Sequence, residues 1–456
     1  MLGLTMGCFA RIPCGFDLTA IFDTKSKIDR AAWLIAAILE KQLCFSDYGG
    51  APMASSEVRK ICGNPLTTKE IVDTLKDHGI LFVSNSYEVG TRFKNYSVNT
   101  GFLRSEKFTT EHVVHHRISS PTVISSIKKS LMKDKEYEYY RWDKFHFAVY
   151  KNLQYPQIDE SEVGIFFEHF FDPESVDFGE SAAVLGFQVD QLMSDAKRRM
   201  SVSKTGRVYT PLCRLKSWVR GCFKYNDNWC VGHDVKACQP TLLAALMLSI
   251  ANQDNSFFER SGVARHMKSL KIDTRNLSRC DITQADAREF AVFVENNDIY
   301  DTIVGRLKSR GHYRSRDDIK LAFMRDIFAK KSEYASVEEQ EFRELFPVVW
   351  KQIKAINKQD YRTLINFMQF MESEVVIHHA LKRAYELGCR GFFTVHDSIY
   401  ASQNYTEIIK MGFEYASNLV GVRLTIDIGD DIVERRRRES EQKLEVEEFN
   451  SAIFEA

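Results

Sequence analysis

Residues 27–43 (KIDRAAWLIAAILEKQL) place Ile28, Ala31, Ala32, Ile35, Ile38 and Leu39 at helical spacing, so an amphipathic helix is predicted there. SSEVRKICG predicts a second helix, with Ser55 or Ser56 as its N-cap. In LTTKEIVDTLKDHG, Thr67 and Glu70 have capping-box spacing, Ile71, Val72 and Leu75 form an apolar face, and Gly79 stands where a helix would stop. ILFVSNSYEVGTRFKNYSVN then alternates as two strands joined by a turn at Val89 and Gly90.

Three helices followed by a hairpin resemble a winged helix. The resemblance makes 66–79 the helix that would enter a DNA groove, and gives the hairpin, with Tyr87, Arg92, Lys94 and Tyr96, the part of a phosphate-touching wing. The same pattern serves protein contacts or packing, and spacing does not separate the two uses. From 103 to 200 the chain reads as a helical connecting or thumb-like region. Its aromatic run EYEYYRWDKFHFAVY suits a core better than a base-stacking platform, and His115 and His116 lack partners at metal-site spacing. Lys197, Arg198, Arg199 and Lys204 form a basic run that fits either a phosphate backbone or a solvated helix face.

With 456 residues, 44% of them hydrophobic, the chain has enough apolar material for two or three packed domains. Lys plus Arg equals Asp plus Glu at 62 each, which excludes a wholly basic nucleic-acid binder and leaves attraction to local patches. The ten cysteines include no C-x-x-C, so a zinc ribbon has no support, and reduced thiols in the cytoplasm are expected. No secretory leader pattern opens the chain and no apolar run reaches about 18 residues, so neither export nor membrane insertion is expected.

Candidate chemistry gathers between 200 and 432. Thr205-Gly206-Arg207-Val208-Tyr209 comes first, then Asp234 at the end of an apolar strand that runs into a helix. In GFFTVHDSIYA, residues 392–395 make a strand, His396 and Asp397 the turn, and Ile399 and Tyr400 begin the returning strand. A hairpin with an acid at its tip can face a strand-end acid across a sheet. Asp234 and Asp397, 163 positions apart (397 minus 234), could then share two Mg²⁺ ions about 4 Å apart. Two unrelated turn aspartates are the plain alternative. Between them, Arg316, Lys320, Met324 and Phe328 recur every four residues on one helical face, a set that suits a triphosphate and a base, or an ordinary charged surface helix.

Taken in order, these signals resemble the family A polymerases, the group of DNA polymerase I and the single-subunit phage-type RNA polymerases. Thr205, Gly206 and Arg207 match the family's T-G-R element. Asp234 with Gln239 matches motif A, Arg316, Lys320 and Phe328 match motif B, and His396 with Asp397 matches motif C. NFMQFMESEVVIHHALKRA resembles the glutamine-bearing helix before motif C, and LTIDIGDDI the terminal palm strand. The resemblance implies an α+β fold, with a palm and fingers over 201–456 preceded by a helical region (103–200) and a winged-helix-like domain (1–102). It further implies that Asp234, Asp397 and the Val235 carbonyl hold two Mg²⁺ (or Mn²⁺) ions. Arg316, Lys320, Phe328 and Gln239 would bind the nucleotide, with Phe328 near the incoming base, and Arg207, Gln369 and His396 would hold the primer–template.

Three departures shape the expected activity. Motif B usually carries Tyr and Gly where Phe328 and Ala329 stand; Gln239 is large enough to crowd a 2′-hydroxyl; and motif B to motif C is only 77 positions (397 minus 320). The second tilts the expectation to dNTPs and a compact DNA polymerase of a phage, plasmid or other mobile element, without a D-x-E proofreading element. An RNA-synthesising primase or polymerase is the alternative that Ser398 prompts, and a DNA-binding initiator with an inactive polymerase-like half is another. His378 and His379, about 100° apart on a helix, do not easily chelate one ion. The run Arg435 to Arg438 reads as a solvated helical end.

Overall fold

The computed structural model describes residues 9–42, 50–84, 94–99, 109–111, 113–129, 142–171, 178–194, 198–254, 256–264, 282–296, 298–330 and 334–429. The chain divides into two compact units whose boundaries interleave: Met1–Tyr140, Gln157–Arg199 and Arg214–Phe223 form the first, and Arg141–Pro156, Met200–Cys213 and Lys224–Ala456 the second.

In the first unit, β1 (Phe9–Pro13) is followed by α1 (Lys25–Gln42), β2 (Ala51–Met53), α2 (Ser55–Cys62), α3 (Pro65–Asp77), β3 (Leu81–Val83), β4 (Lys94–Val98) and β5 (Val113–Arg117). β2, β4 and β3 form an antiparallel sheet in that spatial order, and β1 pairs with β5. Every residue from Ala31 to Leu39 is buried, so α1 is a central helix enclosed on all sides rather than one with a single apolar face. Its buried Asp29 accepts hydrogen bonds from the Ser119 and Ser120 backbone N–H groups and lies 2.9 Å from His116 Nε2. His115 in turn pairs with Asp190 at 3.1 Å. Both histidines are thus packed and partnered.

The helix starts differ from the sequence expectation. α2 begins at Ser55 itself, after Ala54, with no side-chain cap. α3 starts at Pro65 under an Asn64 cap, whose Oδ1 accepts from the Thr67 N–H at 2.9 Å, so Asn64 and Pro65 supply the start signal in place of Thr67. Gly79, at φ +67°, does follow the helix end. Tyr96 is 6% exposed, a core ring whose hydroxyl burial raises its pKa, and not a wing contact. Tyr87, Arg92 and the turn at Val89 and Gly90 lie outside the described residues, as do Lys197 and the Arg435–Arg438 run. Arg198 is buried, with its guanidinium 5.4 Å from the Phe223 ring centre, which removes it from any exposed basic run.

The second unit is built on a sheet in the order β9 (Phe393–Val395), β10 (Ser398–Ser402) and β8 (Asn228–Val235), with β11 (Ile426–Ile428) also paired to β8. A short hairpin of β6 (Ser201–Val202) and β7 (Val208–Tyr209) precedes it in sequence. β8 is entered through a tight turn at Asn226 and Asp227, both at positive φ, the conformation that two-residue hairpins favour. Helices belonging to this unit are α4 (Lys144–Asn152), α5 (Cys238–Ala251), α6 (Gln284–Asn296), α7 (Ile299–Ser309), α8 (Arg316–Ala322), α9 (Val337–Leu345), α10 (Pro347–Ile356), α11 (Thr363–Ser373), α12 (Lys382–Glu386) and α13 (Thr406–Val420). α11 runs through a π-helical segment, Glu374–Leu381, into α12. α13 packs on that segment at Gly412, where a Cβ would come within 2.4 Å of the Ala380 carbonyl oxygen, so only glycine allows the approach. Among the described residues no helix is long and apolar enough to cross a membrane.

Candidate active site

Residues 230–233 of β8 are buried in the sheet, and the exposed Asp234 follows them near the strand's end. In register, Asp234 stands opposite Ser398 of β10 on one side and Asp427 of β11 on the other. Ser398 Oγ donates a hydrogen bond to Asp234 Oδ1. His396, at φ +53°, and Asp397 make the turn between β9 and β10, so Asp397 immediately precedes the residue paired with Asp234. Burial pushes the Asp397 carboxyl well above its ordinary value, and the negative charges of Asp234 and Glu372 push it the same way. Buried Cys238, at the start of α5, feels the same three carboxylates and its thiol is raised well above its usual range.

The T-G-R element forms the β6–β7 turn. Gly206 takes φ +77°, and a Cβ there would lie 3.3 Å from Ser373 Cβ, so the turn sits hard against α11. That closeness carries Arg207 Nη2 to Glu372 Oε2 at 2.7 Å. Burial disfavours the guanidinium charge, and Glu372 more than offsets this, so the Arg207 pKa is raised. Glu372 Oε2 also accepts from Gln239 Nε2 at 3.0 Å. Gln239 and Glu372 are 8% and 2% exposed, and Gln239 Oε1, Glu372 Oε1 and Arg207 Nε are buried with no hydrogen-bond partner. Glu372 is thus a third acid of the cluster that sequence spacing did not single out. Its signal is a pair of acids, Glu372 and Glu374, set among the Phe, Met, Val and Ile residues of 367–377.

The other expected residues divide. Val235 closes β8, paired with Ile426, and Gln369 is half-buried on α11. His396 is exposed, with its ring edge-on to Tyr209 at 5.9 Å. Arg316 begins α8, pairs with Asp298 and, at 3.4 Å, Asp301, and lies over the Tyr300 ring. Burial and the charge of Asp397 raise the Tyr300 hydroxyl pKa, and its ring lies under the Arg316 guanidinium. Lys320 is exposed. Phe328 differs from expectation: it is fully buried, edge-on to Phe323 at 5.8 Å, and offers no face to a base. Phe328 closes the π-helical segment Phe323–Phe328 and packs inward, away from the exposed Lys320.

No protein-family profile matches the chain, and no curated protein matches it. Among solved structures the chain is similar to the POL domain of Pol1 from M. smegmatis in complex with DNA primer-template and dNTP, at 10% identity and a TM-score of 0.25. The match covers 58% of this chain and 54% of that one, so the chain spans about half the length of that neighbour.

Proposed function

We propose that the chain is a template-directed DNA polymerase that joins the α-phosphate of a dNTP to a primer 3′-hydroxyl, releasing pyrophosphate. What supports the reading is the register pair Asp234–Ser398, which sets Asp397 beside Asp234 closely enough for the two charges to repel. Carboxylates that disfavour one another's ionisation suit cations between them, and an all-oxygen donor set suits Mg²⁺ or Mn²⁺. Asp234, Asp397 and the Val235 carbonyl would hold two such ions, which when bound supply activation of the attacking hydroxyl and stabilisation of the charge on the transferring phosphate.

The remaining work falls to the chain's own groups. Lys320, exposed on α8, meets the triphosphate, and Arg316 reaches it by exchanging Asp298 and Asp301 for phosphate oxygens. Arg207, Gln369 and His396 hold the primer terminus, with Arg207 fixed by Glu372 so that little reorganisation is needed as the terminus arrives. Gln239, tied to the same carboxylate, forms the wall that the sugar meets. In the first unit, the order helix, strand, two helices and two strands fits a winged helix that grips template or recognises an origin. The setting that fits this arrangement is the cytoplasm of a cell carrying a phage, plasmid or other mobile element.

A second reading, RNA synthesis, draws on Ser398 and its bond to Asp234. Supplying a primed DNA template with dNTPs or with rNTPs separates the two. Extension with dNTPs supports the first; extension with rNTPs alone replaces it with the second; DNA binding without synthesis points to an initiator.

A further inference from the structure

Away from the acid cluster, three side chains of the second unit converge on one point. Asp143 is the N-cap of α4, its Oδ1 accepting from the backbone N–H groups of Phe145 and His146 at 2.9 and 3.0 Å. His146 lies one turn on and is 4% exposed. His378 comes from the π-helical segment Glu374–Leu381, 232 positions later in sequence (378 minus 146). His146 Nδ1 lies 2.9 Å from Asp143 Oδ1, and His378 Nδ1 lies 3.4 Å from Asp143 Oδ2. A ligating atom from each of the three lies within 4.8 Å of the other two.

Hydrogen-bond direction makes this more than an aromatic cluster. The Asp143 backbone N–H donates to His146 Nδ1 at 3.1 Å, so the one lone pair of that nitrogen points to the Asp143 end of α4, and an ion bound there takes the place of this hydrogen bond. His146 Nδ1 also lies 2.9 Å from Asp143 Oδ1, so an ion in that place meets both side chains at once.

We propose that Asp143, His146 and His378 bind one divalent ion of the zinc class, with a fourth position open to water. Ligands about 2.0–2.2 Å from a tetrahedral Zn²⁺ stand roughly 3.3 Å from one another; the two imidazoles lie 2.9 and 3.4 Å from different oxygens of the one carboxylate, and with all three donors within 4.8 Å small side-chain shifts gather them round an ion. Two nitrogens and one oxygen select Zn²⁺, or Co²⁺ in its place, over Mg²⁺ and Ca²⁺, which take oxygen ligands. Asp143 is 41% exposed on its side chain, which gives the ion a path from solvent. His379 takes no part, because adjacent helical residues diverge. Bound there, the ion staples α4 to the helix that carries Glu372. Affinity is moderate, since the buried His146 Nε2 lacks the outer hydrogen bond that usually strengthens a histidine ligand.

This site stands independently of the polymerase reading. The full chain, stripped with a chelator and kept in millimolar Mg²⁺, is titrated with Co²⁺ and then with Zn²⁺, following the Co²⁺ d–d absorption and the heat of binding. One Co²⁺ per chain, displaced by Zn²⁺, is expected for the wild type and for Asp397→Asn. His378→Gln weakens binding at least about 100-fold while its circular dichroism stays native, and Asp143→Asn does the same. Absence of a saturable Co²⁺ band in the wild type overturns the proposal. So does wild-type affinity in natively folded His378→Gln, or loss of the band in Asp397→Asn alone.

Discussion

Arg207 and Glu372 form an ion pair at 2.7 Å, with side chains only 13% and 3% exposed, although 165 residues separate them. The pair joins the β6–β7 turn to α11, and through Gln239 to the start of α5, so three elements around Asp234 and Asp397 hang on one carboxylate. Replacing Glu372 with Gln removes the anion and leaves the guanidinium inadequately compensated. Stability should fall by about 2–4 kcal/mol, read as the shift in urea midpoint at unchanged slope.

Glu372→Gln also removes a negative neighbour of Asp397. Ionisation of Asp397 then becomes easier, and the acid limb of the synthesis–pH profile should move to lower pH even as the maximal rate falls. An unmoved acid limb would disconnect Glu372 from the reacting carboxylates.

Asp397→Asn is expected to stabilise the fold while abolishing synthesis. Because the folded-state carboxyl is raised, its favourable contribution is present in acid and is lost as pH rises through the folded value. At pH 8 without divalent ions the variant should exceed the wild type by roughly 0.5–2 kcal/mol in urea unfolding, as other relieved functional sites do.

His233 supplies a pH test of the sheet. It is fully buried, with Nδ1 3.1 Å from the Ile399 carbonyl and Nε2 3.1 Å from Thr406 Oγ1, and burial lowers its pKa to about 4. The unfolded chain therefore binds the extra proton between about pH 6.5 and pH 4, and stability falls as pH drops through that window, by up to about 3 kcal/mol in all. His233→Asn, which keeps a donor toward Ile399, should flatten the dependence of the urea midpoint over this range.

In the first unit, Asn64→Ala removes the cap of α3 and should cost about 1 kcal/mol, measured as a lowered unfolding midpoint. Thr67→Ala should cost less, since its backbone N–H, not its hydroxyl, meets the cap.

Much of the architecture was legible because it rests on local pattern. The strand ending at Asp234 and the His396–Asp397 hairpin follow from apolar runs bounded by turns, and the strand at 426–428 from the resemblance of LTIDIGDDI to a terminal palm strand. Less legible was whatever depends on distant partners or on local backbone shape. Phe328 packs into the core at the end of the segment Phe323–Phe328, whose π-helical backbone a fixed four-residue period does not register. Glu372 and the Asp143–His378 pair were missed because their partners are remote in sequence. Tyr96 and Arg198 looked like exposed nucleic-acid contacts only while their burial was unknown.

The central claim is that Asp234 and Asp397 together support nucleotidyl transfer. Single-turnover incorporation of one correct dNTP into a labelled primer–template with Mg²⁺ tests it most directly, comparing wild type with Asp397→Asn. A wild-type rate that falls by about a thousandfold or more in the variant, with DNA binding retained, is the predicted result. Equal rates in the two proteins would contradict the site, and no incorporation of any nucleotide by the wild type would contradict the function.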